Sequence, residues 1–284
     1  MTTVSDYWSG HTVKDEPFTS AKESLDYLQW RSDVYPRAYE MLGLYGEHKD
    51  EVILDFGCGP GNDLVGFLSE TKAKQVIGID VSPKALNLAK QRLDLHDFSR
   101  NRCRLILGTD GVEVPLETAS VDHVNCQGVL HHISQPQNIV NEFYRVLRPG
   151  GTADLMVYNY DSLYLHLYVA YELQILRGIT SDLDIKAAFS KNTDGYDCPI
   201  AYPYKPAEFV TICETAGFNT SYRGGYCSQL ELDLLRDKGA QALADNRLGE
   251  EHKEFLRGLG YSASGYPLYD LVPAGVGGVY HLSK

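Results

Sequence analysis

The stretch Val52-Ile53-Leu54-Asp55-Phe56-Gly57-Cys58-Gly59-Pro60-Gly61-Asn62 decides how this 284-residue chain reads. A short apolar run of strand type ends in an acidic residue. Three glycines at alternate positions follow, and then a helix-like segment. Such a strand-to-helix turn leaves backbone bare, so that a nucleotide-like ligand can approach it closely. The spacing is G-x-G-x-G, whereas the dinucleotide fingerprint needs its third glycine where Asn62 stands. No Lys-Ser/Thr pair follows to hold a triphosphate and its magnesium. The loop therefore suits a nucleoside that lacks a pyrophosphate.

The chain alternates regularly on the C-terminal side of this loop. Val52–Phe56 reads as a strand and 63–70 as a helix, then Gln75–Asp80 as a strand and 83–95 as a helix. Ser82 and Pro83 supply an N-cap and a first-turn proline for that second helix. Strands are expected at 103–108, 121–126 and 152–157, with a helix at 135–147 closed by Arg148-Pro149-Gly150-Gly151. The alternation lapses at about 158–206 and resumes with a helix at 206–216 and a strand near 220–226. A helical insertion over about 230–259 and a terminal strand at 276–282 complete the chain. On the N-terminal side, 20–45 reads as helical, with Leu25, Leu28, Tyr35, Tyr39 and Leu42 at helical spacing and a break at Pro36. Strands alternating with helices imply a parallel, doubly wound sheet with its ligand at the carboxyl ends of the strands.

Two acidic residues fall at such ends. Asp80 closes Val76-Ile77-Gly78-Ile79-Asp80, one βα unit after the glycine loop, where a carboxylate can accept from both hydroxyls of a ribose. Its alternative role is a helix N-cap. Asp110-Gly111 follows the third strand, where a carboxylate can accept from an exocyclic amine while the adjacent N–H meets a ring nitrogen. The alternative there is an ordinary Asp-Gly turn.

Taken in order, Asp55-x-Gly57-x-Gly59-x-Gly61, Gly78-Ile79-Asp80, Gly108-Thr109-Asp110-Gly111 and Leu147-Arg148-Pro149-Gly150-Gly151 resemble the class I S-adenosylmethionine-dependent methyltransferases. The likeness is to the branch that includes ubiquinone/menaquinone-type and natural-product enzymes. It covers about 50–157, plus a weaker Ala216-Gly217-Phe218 before the sixth strand. The resemblance implies a Rossmann-like α/β fold: one doubly wound, mostly parallel seven-stranded sheet over 1–284. Outside the match the chain reads as an N-terminal helical cap (1–46) and helical insertions after strands five and six (158–206, a substrate lid, and 228–275), and the resemblance makes 50–157 the cofactor-binding core. It implies S-adenosylmethionine as cofactor. Gly57, Gly59 and Gly61 would hold the methionine part, Asp80 with Val81 the ribose, and Asp110 with Gly111 the adenine. Asp55 would order the loop and reach the amino group, the backbone of Gln127 would face that amine, and Arg31 of the cap would pair with the carboxylate.

In this family the substrate is set by the regions outside the match, and those regions are aromatic. Tyr7, Trp8 and Tyr35 lie in the cap; Tyr158, Tyr160, Tyr164, Tyr168 and Tyr171 follow the fifth strand in a chain with 20 tyrosines. The spacing of 160, 164, 168 and 171 predicts one helical face. That face is either a packed amphipathic surface or a lid contributing Tyr158, Tyr160 and Tyr164 to the substrate pocket, where aromatic faces suit a cationic sulfonium, or an ammonium product. His131 and His132, after strand four, are candidate general bases, with helix-start or packing roles as the alternative. A metal is not expected, because the two histidines have no evident third ligand. The turn-rich 193–199 reads as a loop able to close over substrate.

Composition narrows the partners. The formal charge is −12 and the isoelectric point about 5.2, which argue against nucleic acid and anionic membranes. Cys58, Cys103, Cys126, Cys198, Cys213 and Cys227 form no C-x-x-C pair, so free thiols are expected rather than disulfides, zinc or iron–sulfur ligation. No apolar run has signal-peptide or membrane-span length, and a soluble cytoplasmic location is the expectation. The expected activity is methyl transfer to an oxygen, nitrogen or sulfur nucleophile of a small molecule by in-line displacement. One variant is N- or S-methylation to a cationic product in a tyrosine-lined pocket; a different class is a non-catalytic sensor of the cofactor or of its demethylated product. Oligomeric state is not readable.

Overall fold

A computed structural model describes residues 4–98, 100–109 and 113–284. Strands β1 (Val52–Phe56), β2 (Gln75–Asp80), β3 (Cys103–Leu107), β4 (Val121–Gln127), β5 (Leu147–Tyr158) and β6 (Asn219–Tyr226) are followed by three short strands. These are β7 (Gly260–Tyr261), β8 (Pro267–Tyr269) and β9 (Val272–Pro273), and β10 (Gly277–Ser283) ends the chain. Seven of them form one sheet in the order β3-β2-β1-β4-β5-β10-β6, while β7, β8 and β9 form a small separate one. The five strands from β3 to β5 pair in parallel. β10 runs antiparallel to both of its neighbours. The sequence order reverses beside β1, which puts the glycine loop at the switch point of the sheet.

Local chemistry accounts for the elements. The parallel strands are covered on both sides, so β1 carries Ile53, Leu54 and Phe56 buried alike. On one face pack α3 (Ala38–Leu42), α4 (Asn62–Glu70) and α5 (Pro83–Asp94), with Leu42, Leu64, Phe67 and Ala89 in the core. On the other pack α6 (Pro136–Val146) and α8 (Pro206–Thr215), through Ile139, Phe143 and Phe209. Ser82 caps α5, accepting from Ala85 N at 3.1 Å. Pro36 separates α2 (Ala21–Val34) from α3. The cap begins with α1 (Val4–Gly10). Among the described residues, no helix is long and apolar enough to cross a membrane.

Two expectations are corrected. The fifth strand starts at Leu147 rather than 152, because Leu147 pairs with Val121 before the register jumps to Thr152 against His123, and 148–151 bulge between. The tyrosines after it do not share one α-helical face. Tyr158 ends β5, Tyr160 lies in the following loop, and Tyr164–Leu176 is a π-helix, whose wider i→i+5 turn breaks the 3.6-residue register. Tyr164 and Tyr168 therefore pack beside Phe189 of α7 (Ile185–Lys191). Tyr171 enters a separate core with Leu163, Ala242 and Leu248, under α9 (Gln229–Ala244) and α10 (Glu250–Arg257).

Candidate active site

A cavity of about 510 Å³ opens at the carboxyl ends of β1, β2 and β4. Its floor is the glycine loop. Gly57, Gly59 and Gly61 all have left-handed φ, at +76°, +51° and +81°, which L side chains adopt only under strain. Gly57 and Cys58 donate their N–H groups to Ile79 O at 2.7 and 3.0 Å, tying the turn to β2. A Cβ on Gly57 would stand 2.1 Å from Val129 Cγ2. One on Gly59 would meet nothing within 4 Å and would project into open space. Gly61 lies outside the cavity and closes against Ala89 at the start of α4.

Asp80 forms the next edge of the cavity, with Val81 and Ser82. Its Oδ2 accepts from Gly59 N and its Oδ1 from Ser82 N, both at 2.8 Å. A carboxylate offers about four acceptor positions, so two remain for a ligand's hydroxyls. Burial raises its pKa, and the backbone N–H groups of Ser82, Gly59 and Val81 work against the rise. Asp110 and Gly111 lie outside the described residues; Gly108 and Thr109 before them line the cavity.

A smaller recess of about 70 Å³ shares Arg31, Gly57, Gly59 and Gln127 with the cavity and reaches Asp55 and Asp63. Asn125 joins the two carboxylates, donating to Asp55 Oδ1 at 2.8 Å and Asp63 Oδ2 at 3.3 Å, and it accepts from Gln127 Nε2 at 3.0 Å. Asp55 Oδ2 is buried with no partner. Burial, reinforced by the charge on Asp63, raises the Asp55 pKa well above the carboxylate range. Burial also disfavours the Arg31 cation, but Asp63 and three tyrosines outweigh it and the Arg31 pKa rises. The recess thus offers an orphaned carboxylate oxygen and an arginine side by side, a donor set matched to the ammonium and carboxylate of an amino acid.

At the far end of the cavity the cap and the 158–206 segment meet over His132. Its Nδ1 lies 2.5 Å from Ile200 O. A carbonyl only accepts, so Nδ1 carries the proton and Nε2 holds a lone pair. Nε2 stands 3.7 Å from Asp194 Oδ2. Burial lowers the His132 pKa, partly offset by Asp194 and the Ile200 carbonyl. Tyr158 donates its hydroxyl to both oxygens of Asp194, at 3.0 and 2.8 Å, and Tyr7 donates to Asp194 O. Trp8 packs edge-on against His132 with ring centroids 4.8 Å apart. Tyr35 and Tyr226 add further aromatic wall, in edge contact at 5.8 Å.

The structure brings together Arg31, Gly57, Gly59, Asp80, Val81, Gln127, His132, Trp8, Tyr35 and Tyr158, and it adds Asp55 through the recess. His131 stays outside: it is fully buried, accepts from Tyr158 N at 3.1 Å through Nδ1, and stacks on the Tyr158 ring at 3.7 Å. Tyr7 sits behind Asp194. Tyr160 bonds Glu251 at 2.7 Å and Tyr164 bonds Asn192 O at 2.8 Å, both away from the cavity. Asp194, Tyr226 and Met156 line it without having been singled out. The Asp194-Gly195 turn, with Gly195 at φ +99°, was the one local signal for Asp194.

The expectation that the histidines lack a third metal donor is also corrected. Donor atoms of His132, Asp194 and Cys198 lie within 4.8 Å of one another. Cys198 Sγ donates to the Ile200 carbonyl at 3.3 Å, as does His132 Nδ1 at 2.5 Å, so Nε2 is the nitrogen of that imidazole that keeps a lone pair.

A doubly wound sheet with a glycine floor, a carboxylate at the end of β2 and an amino-acid recess beside β1 defines a site for an amino-acid-bearing nucleoside. A family model described as a methyltransferase domain matches residues 54–153. A chloroplastic 2-methyl-6-phytyl-1,4-hydroquinone methyltransferase of Arabidopsis thaliana is 32% identical over 136 residues, 48% of this chain and 38% of that one. The tRNA 5-carboxymethoxyuridine methyltransferase of Escherichia coli K12 is 29% identical over 189 residues, covering 66% and 67%. The crystal structure of the YcgJ protein from Bacillus subtilis superposes with a TM-score of 0.55 at 16% identity, over 87% of this chain and 98% of that one. This chain therefore spans well under half the length of the plant relative. Residues 54–153 are thus similar to the methyltransferase domain, and S-adenosylmethionine is the cofactor that this likeness implies. The orphaned Asp55 Oδ2 and the open space over Gly59 fit that cofactor.

Proposed function

We propose that this protein transfers a methyl group from S-adenosylmethionine to a small-molecule acceptor. Asp80 holds the ribose, Gly57 and Gly59 lie against the cofactor, and Arg31 and Asp55 take its carboxylate and ammonium groups. When bound, the cofactor supplies an electrophilic methyl group on a sulfonium centre. The protein's own task is alignment, dryness and proton removal. Trp8, Tyr35 and Tyr158 exclude water from the acceptor end. His132 Nε2 takes the acceptor's proton, Asp194 steadies the imidazolium that results, and the Tyr158 hydroxyl fixes Asp194 in place. The 158–206 segment is the substrate-side wall, since it brings Asp194 to the cavity.

The observation that carries this reading is His132, which opens its unprotonated Nε2 onto the same cavity as the glycine loop and Asp80. The test is incubation with methyl-tritiated S-adenosylmethionine and either a small-molecule extract or purified total tRNA. Label in a small molecule, lost in His132→Asn, supports the proposal. Label in tRNA alone, or tight cofactor binding with no label transferred, overturns it.

A further inference from the structure

Resting on that methyltransferase reading, we infer that the acceptor group is an amine that enters the site protonated. His132 Nε2 and Asp194 Oδ2 face each other across 3.7 Å, two acceptors with no protein hydrogen between them. The imidazole proton is committed to Ile200 O. The Tyr158 hydroxyl brings a single hydrogen to the Asp194 carboxylate and leaves its other lone pairs open. A hydroxyl or thiol acceptor would satisfy one of the two facing atoms. An ammonium carries two or three hydrogens on one nitrogen and satisfies both at once.

Charge points the same way. Among the described residues, Asp194 has no lysine or arginine within salt-bridge distance, and its one ionic neighbour is His132. The positive charge of Arg31 at the other end is balanced by Asp63. Asp194 is thus a carboxylate lining an apolar cavity with no fixed cation opposite it. Its surroundings are the rings of Trp8, Tyr35 and Tyr158, which favour a bound cation.

The chemistry balances. An R–NH3+ group gives one proton to His132 Nε2. The freed nitrogen lone pair forms the N–C bond to the methyl group, whose bond to sulfur breaks with its electron pair left on sulfur. The product is R–NH2CH3+, still a cation on Asp194, and the sulfide leaves neutral.

The test uses the full chain saturated with S-adenosylhomocysteine and a matched pair of probes, 2-phenylethylamine and 2-phenylethanol, by isothermal titration. The amine should bind about tenfold tighter or more, as a charge-assisted hydrogen bond implies. Asp194→Asn should erase that preference while S-adenosylhomocysteine affinity is unchanged. Tyr158→Phe, which keeps the carboxylate, should retain it. Equal binding of the two probes, binding of neither, or a preference that survives Asp194→Asn overturns the inference. Failure of S-adenosylhomocysteine itself to bind sinks the underlying methyltransferase reading instead.

Discussion

Tyr158 stacks on His131, with His132 farther from its ring, and ties His131 to the substrate side of the site. Its backbone N–H donates to His131 Nδ1 at 3.1 Å, its ring stacks on His131, and its hydroxyl holds Asp194, which faces His132. His131 is thus a buried support, and His132 is the working imidazole. Of the two neighbouring side chains, only the second faces the cavity.

The first prediction concerns pH. Burial holds the His132 pKa below the ordinary histidine value of 6.5, while Asp194 works to raise it. A base acts in its neutral form, so the acid limb of kcat should fall below pH 6.5. Asp194→Asn removes the charge that raises the pKa and should move the limb lower still. A kcat–pH profile of both proteins checks the order. His132→Asn should cost roughly 10²–10⁴-fold in kcat, the usual worth of a general base, with S-adenosylhomocysteine affinity retained.

Asp55 makes a second prediction. Burial, with the Asp63 charge beside it, pushes the pKa of its carboxyl well above the ordinary value. An ammonium placed beside its orphaned Oδ2 favours the ionised form and pulls that pKa down, so cofactor binding should be accompanied by proton release. Titrating S-adenosylhomocysteine in buffers of different ionisation enthalpy measures that release. Asp55→Asn should abolish it.

The glycine loop separates stability from binding. Gly57→Ala puts a methyl group 2.1 Å from Val129 Cγ2 at φ +76°, so strain and clash together should cost more than about 2 kcal/mol in thermal unfolding. Gly59→Ala meets no protein atom within 4 Å and should cost only about 1–2 kcal/mol of backbone strain. Its methyl group fills the cofactor's floor, however, so S-adenosylhomocysteine affinity should fall steeply. Unfolding curves and titrations of both variants test the contrast.

Glu231 sets a pH dependence of folding. Buried in the capping box of α9, it accepts from Ser228 and from Tyr164 N, yet burial pushes its pKa up from 4.5 to about 7. A folded pKa above the unfolded one contributes stability that is complete below pH 4.5 and is lost as pH rises through about 7. The loss is roughly 3.5 kcal/mol at most, at about 1.4 kcal/mol per unit. Glu231→Gln should flatten the unfolding free energy between those limits, whatever its own stability.

The cofactor half of the site was legible because its signals are local. An apolar run, an acidic residue and alternate glycines specify the β1 turn within eleven positions, and Asp80 follows one βα unit later. The acceptor half was legible only in part: Trp8, Tyr35, Tyr158 and His132 were picked out, but Asp194 was not. Asp194 comes from an irregular loop that tertiary packing folds back over β4, and no period links it to His132. Tyr160 and Tyr164 carried α-helical spacing, but a loop and a π-helix turned them away. The recess network of Asn125, Asp63 and Gln127 depends on pairing between strands and helix starts that are distant in sequence.

The most direct measurement is a crystal structure of the full chain with S-adenosylhomocysteine. The account predicts the ribose hydroxyls on the Asp80 carboxylate, the amino-acid end in the recess between Asp55 and Arg31, and the sulfur facing His132 and Tyr158. A nucleoside bound away from Asp80, or a sulfur turned from His132, would contradict it.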